Sequence, residues 1–194
     1  MGVTINYKLG QEKQWVRSTI DVVRDAAIVM LDRSVISGIK PFEIHRPEST
    51  KLHVTIGGCE TLTFDFRSRK EWEEEHKKNG WNYQHSALTM GDIAKEDDDG
   101  MLWSAAFCKT QFAQNIIEHK FVADLIRVAA CYCRVAVIFD EGDYYHSGKL
   151  EDATGAIEDN GKMIDSIAGK LKATDLEVIQ KGETKIARRK QRDK

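Results

Sequence analysis

The chain has 194 residues, of which 41% are hydrophobic and 31% are charged, and its formal net charge is −2. This balance is that of a globular protein and excludes a disordered chain or a bundle of membrane-spanning helices. Because Lys and Arg nearly cancel Asp and Glu, no basic field favours nucleic acid as a partner.

The first part of the chain alternates in the manner of β-strands around one long helix. A double glycine at Gly57 and Gly58 separates two alternating segments, which is a typical hairpin pattern. The periodicity predicts, in chain order, a strand at 3–9, a helix at about 11–33, an extended piece at 42–45, a hairpin of 52–56 with 62–66, and a charged surface helix at 69–79.

The second part of the chain is richer in helix. Its patterns predict a strand at 81–88, a polar loop at 91–100, a strand at 101–108, a helix at about 111–132, a strand at 134–140, a helix at 149–172 and a strand at 175–180. We therefore predict an α+β fold with a mostly antiparallel or mixed sheet and about three main helices packed on it. Residues 1–180 form a single domain in this interpretation, and residues 181–194 form a basic, flexible tail.

The helix predicted at about residues 111–132 is apolar on two sides. Such a helix lies at the centre of a core or in an oligomer interface. His119 shares one of its apolar faces, where an unpaired polar group costs about 1–3 kcal/mol, so it needs a partner. A carboxylate from a neighbouring strand and a backbone carbonyl are the two alternatives.

Polar side chains cluster where the strand at 134–140 ends. Asp140, Glu141, Asp143 and His146 follow an apolar run, and Gly142 marks the point where the chain turns. Ligand sites often form where buried strands run out into loops. Carboxylates with an imidazole suit a hard divalent ion such as Mg²⁺ or Mn²⁺. The pattern predicts a metal site at Asp140, Asp143 and His146, and the alternative is that these are ordinary loop residues.

A thiol precedes the long helix. Cys108 lies just ahead of the predicted helix start and beside Lys109, where the helix dipole and a nearby cation favour the thiolate. The alternative is a small buried residue at a strand end. The candidate catalytic residues are Asp140, Glu141, His119, Cys108 and Lys109, and the candidate ligand-binding residues are Tyr144, Tyr145 and Gln111.

Two functions from different classes follow from these patterns. In the first, the polar residues line a pocket for a divalent metal or a small anionic ligand, and the protein is a hydrolase. In the second, the protein is a non-catalytic homo-oligomer with structural or interaction roles, because aromatic side chains are enriched at interfaces. No phosphate-binding loop or nucleophile elbow is present in the sequence.

The sequence also predicts a location. The four cysteines have no disulfide or zinc spacing, and no secretory signal or apolar membrane span is visible. We expect a protein of the reducing cytoplasm without membrane contact.

Overall fold

A computed structural model describes residues 3–36, 42–79, 100–110, 116–156, 158–159, 162, 176–181 and 184–189. The elements are β1 (Thr4–Glu12), α1 (Lys13–Ile36), β2 (Phe42–Glu48), β3 (Lys51–Ile56), β4 (Leu62–Asp65), α2 (Arg69–Asn79), β5 (Met101–Lys109), α3 (Ile116–Tyr132), β6 (Val135–Asp140), α4 (Tyr144–Ser147), α5 (residues 150–156), β7 (Leu176–Lys181) and β8 (Thr184–Arg189).

The described strands form two three-stranded antiparallel sheets, ordered β5-β1-β6 and β2-β3-β4, and a separate β7-β8 hairpin. An isolated antiparallel bridge joins the two sheets just after β4. There the Arg67 N–H donates to the Trp103 carbonyl at 3.0 Å, and the Trp103 N–H donates to the Arg67 carbonyl at 2.7 Å. Among the described strands, β2 and β6 are therefore the outer edges of this surface.

The core lies between the sheets and helices α1 and α3. Alternate strand residues point to one face, so Ile5, Tyr7 and Leu9 all face the helices and are fully buried. Helix α1 buries a stripe with helical spacing, represented by Val16 and Ile20. Within α3, the buried residues are Glu118, His119, Phe121, Val122, Ala123, Leu125, Ile126 and Ala129. The two-sided apolar pattern of this helix is thus accounted for by burial inside the molecule.

The α+β prediction with an antiparallel sheet is confirmed, and helix α2 has the predicted bounds. Several other starts and ends differ from the sequence prediction by one to three residues, and two of these differences have a clear cause in strand pairing. Helix α1 begins at Lys13 because Gln11 and Glu12 still pair with β5. The segment predicted as a tail contains β8, whose register pairs Lys181 of β7 with Thr184.

Several sequence predictions fall outside the described residues. The predicted strand at 81–88, most of the loop at 91–100 and most of the helix at 149–172 belong to this group. No helix in the described ranges combines the length and the apolar character needed to cross a membrane.

Candidate functional site

The predicted polar cluster begins where β6 ends. Asp140 is the last residue of β6 and is 5% exposed. Its Oδ1 accepts the Gly142 N–H at 2.8 Å, and its Oδ2 accepts the Tyr145 N–H at 2.8 Å. The carboxylate therefore closes the turn after β6 through two backbone donors. Glu141, the next residue, is exposed on the outside of that turn.

Helix α3 brings His119 to this carboxylate. The Nε2 atom of His119 lies 3.4 Å from Asp140 Oδ2, which is a long ion-pair contact between two fully buried side chains. The ring also packs against Gly142, where a Cβ atom would come within 3.0 Å of His119 Cε1. The small residue at the turn thus lets the imidazole approach the end of β6.

A third residue, Thr110, completes a chain of buried polar groups. His119 Nδ1 lies 2.7 Å from Thr110 Oγ1, and this hydroxyl is also 3.2 Å from the Val3 carbonyl. The Thr110 N–H donates to the same carbonyl at 2.9 Å. The chain from Asp140 through His119 to Thr110 and Val3 therefore ties the ends of β6, α3, β5 and β1 together.

The charge state of Asp140 follows from its surroundings. Burial raises the pKa of the Asp140 carboxyl, but His119 and the backbone N–H groups of Tyr145 and Gly142 outweigh burial, so the pKa lies below its ordinary value. An ionised Asp140 favours the tautomer of His119 that carries a proton on Nε2, although the 3.4 Å contact lacks hydrogen-bond geometry. The other nitrogen then either accepts the Thr110 O–H or, in a charged ring, donates to Thr110 Oγ1.

This order of hydroxyl, imidazole and carboxylate is the one that nucleophilic hydrolases use. Its three side chains are closed to solvent, however, since Thr110 and His119 are 0% exposed and the Asp140 side chain is also 0% exposed. A substrate would reach them only after the strand ends moved apart. In the observed arrangement these linked polar contacts have a structural role, which is to hold the strand ends together.

Cys108 lies at the other side of Thr110, near the end of β5. Its thiol is fully buried and donates to the Glu60 carbonyl at 3.0 Å. Burial, and next the charge of Glu60, raise the pKa of the Cys108 thiol well above its ordinary value. Lys109 Nζ lies 3.5 Å from Glu60 Oε1 and over the ring of Phe107. The neutral thiol is therefore the favoured form, which opposes a nucleophilic role.

The residues predicted to hold a metal are not brought together. Asp143 has a left-handed backbone, with φ of 57°, and is exposed. His146 is also exposed, and its ring stands edge-on to Tyr145. Within the part of the chain that the structure describes, no three His, Cys, Asp or Glu side chains are placed to hold a metal ion. The metal site stays a prediction that the geometry does not favour.

The two tyrosines predicted to bind a ligand lie in the turn and contact α3, and ligand binding by them stays a prediction. Tyr144 is buried edge-on to His119, with ring centroids 6.2 Å apart. Arg127 of α3 donates to the carbonyls of Tyr144 and Tyr145 at 3.0 and 2.5 Å and lies over both rings. Gln111 lies outside the described residues.

The roles of Thr110 and Arg127 were not foreseen in the sequence. From the sequence alone, Thr110 is expected to cap the helix predicted at about 111–132. Arg127 is expected on the side of that helix that faces solvent. A hydroxyl at a strand end was the only local signal for Thr110. For Arg127 the signal was the pair of adjacent tyrosines, which offer ring faces to a guanidinium group.

A second candidate site is the outer face of the β5-β1-β6 sheet. Phe107 and Phe139 flank Asn6 in register, and Val137 lies two residues from Phe139 on the same face. Phe107 is 52% exposed, Phe139 is 56% exposed and Val137 is 41% exposed. We call these three residues the outer apolar patch.

Similarity to known proteins does not assign either site. No family model matches this sequence, and no match is found among curated proteins or solved structures. The function therefore has to be inferred from the chemistry of the sites themselves.

Proposed function

We propose that the protein is a non-catalytic homo-oligomer whose copies associate through the free edge of β6 and the outer apolar patch. The supporting observation is the composition of that edge. Val135, Ala136, Val137, Ile138 and Phe139 follow one another without a charge or a proline. An exposed strand edge of this kind is a template for pairing with another chain.

The edge is open in the described part of the molecule. Strand β6 pairs with β1 on one side, and none of the described strands pairs with its other side. Ala136, at this edge, is exposed, as are Val137 and Phe139. The backbone N–H and C=O groups on that side pair with no described strand, and a second strand could bond to several of them at once.

A second copy of this chain suits the edge because β6 is nearly symmetric in chemistry about its middle. Antiparallel pairing centred on Val137 would set Val135 opposite Phe139 in both halves of a two-fold dimer. Strand residues of equal parity stay on one face, so the two outer apolar patches would form one surface. No like charges would meet along these five residues.

The hydrolase hypothesis has one observation in its favour, the buried contact between His119 and Asp140. It needs Asp140 to release the backbone donors of Gly142 and Tyr145 before a metal or an anionic ligand could bind there. A structural tie needs no such rearrangement. We therefore favour the oligomer.

The experiment is sedimentation equilibrium of the wild-type chain and of Val137→Lys over a wide range of concentration. Lys at an edge strand opposes pairing, since association would bury its charge next to its copy. We expect an associating wild type and a monomeric Val137→Lys variant with unchanged circular dichroism.

The matched control is Glu43→Lys on β2, the opposite edge. Glu43 is exposed, so the substitution places the same side chain at an edge strand away from the outer apolar patch. We expect Glu43→Lys to associate like the wild type. A wild type that is monomeric at every concentration, or equal loss of association in both variants, would contradict the proposal.

A further inference from the structure

Two histidines face each other on the solvent side of the β2-β3-β4 sheet. The strand register sets His45 of β2 directly opposite His53 of β3. Their ring centroids are 6.1 Å apart with an interplanar angle of 54°. The inner side of the same strands holds Leu52 and Val54, which are fully buried, so the imidazoles project away from the core.

Neither of these rings is bound by another side chain in the part of the chain that the structure describes. Among the described residues, each imidazole contacts the other ring and takes part in no hydrogen bond or ion pair. His119 differs in this respect, because Thr110 hydrogen-bonds to its Nδ1 and Asp140 Oδ2 lies 3.4 Å from its Nε2. The ring nitrogens of His45 and His53 are thus available to an external ligand.

We propose that His45 and His53 form a two-imidazole binding site for a late first-row divalent metal ion, with Zn²⁺ as the representative. Imidazole nitrogen is a preferred ligand of Zn²⁺, Ni²⁺ and Cu²⁺, and Zn–N bonds are about 2.0–2.1 Å long. Opposite residues on antiparallel strands have Cβ atoms about 4.5–5.5 Å apart, so small rotations of the rings can direct one nitrogen of each at a shared ion. Water completes the coordination.

The surrounding charges favour a cation at this position. Glu43 lies two residues before His45 on the same exposed face of β2. Lys51, the nearest cation on that face of β3, has its Nζ 2.8 Å from Glu48 Oε1, which offsets its charge. The ion would therefore enter a face where a carboxylate is exposed and the nearby ammonium group is paired.

The strand pair supplies the rigidity that makes two ligands better than one. His45 and His53 are on hydrogen-bonded strands, so the second imidazole is held near an ion that the first has bound. The effective concentration of the second ligand is then high, and loss of either ring removes the whole advantage. This inference is independent of the proposed oligomer, because the pair lies on the opposite edge region from β6.

The test is a titration with Zn²⁺ alone, followed by NMR of the protein with isotope-labelled histidine. Site-resolved ring signals distinguish this pair from binding at the thiols of Cys131 and Cys133. We expect the signals of His45 and His53 to shift together at one Zn²⁺ concentration. Mg²⁺, which prefers oxygen ligands, should leave both signals in place.

The variants are His45→Asn and His53→Asn, with Glu151→Gln as the control at an exposed residue of α5. Each of the first two should weaken the Zn²⁺ response of the remaining ring by about tenfold or more, and the control should leave it unchanged. The proposal is overturned if the rings do not respond, if they respond at different concentrations, or if either single variant retains wild-type affinity.

Discussion

The two outer edges of the sheet surface present opposite chemistry. Strand β2 carries Glu43, Arg46 and Glu48, has a proline at position 47, and shows an irregular register between His45 and Glu48. Charges, prolines and bulges are the usual means by which natural sheets prevent edge pairing. Strand β6 has none of these between residues 135 and 139. Strand β2 thus carries the usual protections against edge pairing and β6 lacks them, which is the difference on which the proposed oligomer depends.

The two edges are also held differently. Arg46 of β2 forms an ion pair with Asp21 of α1, whose side chain is 38% exposed, and such surface pairs contribute at most about 1 kcal/mol. Asp140 at the end of β6 contacts His119 out of solvent, and both side chains are 0% exposed. The apolar edge is thus the one that is anchored by a buried polar contact. An edge that pairs with another chain benefits from a fixed position.

The largest expected effect comes from breaking this anchor. Asp140→Ala removes the acceptor of two backbone N–H groups and the partner of His119. Leaving one member of a buried pair alone typically costs about 3–5 kcal/mol, and we expect the free energy of unfolding to fall by that amount. Urea denaturation measures it. Glu141→Gln, at the exposed neighbour, should change stability by less than about 0.5 kcal/mol.

If Asp140→Ala were no more destabilising than Glu141→Gln, the anchor would contribute nothing to β6. The comparison of edges would then rest on surface composition alone. A parallel measurement on Arg46→Ala, at the β2 edge, should give a loss of at most about 1 kcal/mol from the ion pair. The difference between the Asp140 and Arg46 variants is the quantity that separates the two edges.

The anchor also predicts a pH dependence with a definite sign. The pKa of Asp140 is lowered in the folded state, so folding stability from this carboxylate is fully present above its unfolded pKa of about 3.9 and is lost as the pH falls through the folded value. Asp140→Asn cannot ionise. The stability difference between wild type and Asp140→Asn should therefore shrink below about pH 4.

Denaturation of both proteins at several acidic pH values measures this difference. A gap that stays constant as the pH falls below the unfolded pKa would show that the Asp140 carboxylate gains nothing from its ionised form. A gap that widens would contradict the sign of the shift. Asp143→Asn, at an exposed carboxylate of the same turn, is the control for the change of charge.

A smaller effect is expected from the strand that supports β6. Gly10 of β1 lies in register between Trp103 of β5 and Val135 of β6. A Cβ atom there would come within 2.5 Å of Trp103 Cζ3, and Trp103 is 1% exposed. Gly10→Ala should therefore cost about 1–3 kcal/mol through overpacking and should alter the tryptophan fluorescence.

Gly155 is the matched control for Gly10. It lies in α5, where nothing would contact an added Cβ atom within 4 Å. Gly155→Ala should raise stability by up to about 1 kcal/mol, because Ala is the better helix former. If both alanine substitutions changed the free energy of unfolding in the same direction, the close approach of Trp103 to β1 would not be what restricts position 10 to glycine.

Local patterns predicted the elements better than their assembly. The alternation of apolar and polar residues predicted β3 and β4. The charged segment and the signal that ends a helix predicted α2 at its observed bounds. His119 was singled out because it is a polar residue on an apolar helix face. Asp140 was singled out because it stands at the end of an apolar strand. These signals are readable because each depends on residues that are neighbours along the chain.

The remainder of the site depends on contacts between distant segments. Thr110 meets His119 only after β5 and α3 have packed, and nothing in the local sequence says that their contact is closed to solvent. Strand β7 was predicted at 175–180, but β8 was missed because six basic residues near the chain end outweighed a weak alternation around Ile186. A run of charged residues predicts contact with solvent, but it does not prevent the backbone from pairing as a β-strand.

The smallest effect on folding, but a visible one on assembly, is expected from removing the protection of β2. The double substitution of Glu43→Val and Pro47→Val removes one charge and restores one backbone donor at exposed positions, so each change should alter the free energy of unfolding by no more than about 0.5 kcal/mol. A chain with two apolar edges can join copies at both, which gives open-ended growth in place of a closed dimer. Light scattering and sedimentation should show large assemblies, and adding Val137→Lys should limit them by blocking one edge. If the double variant sediments like the wild type, the charges and the proline of β2 are not what keeps that edge single.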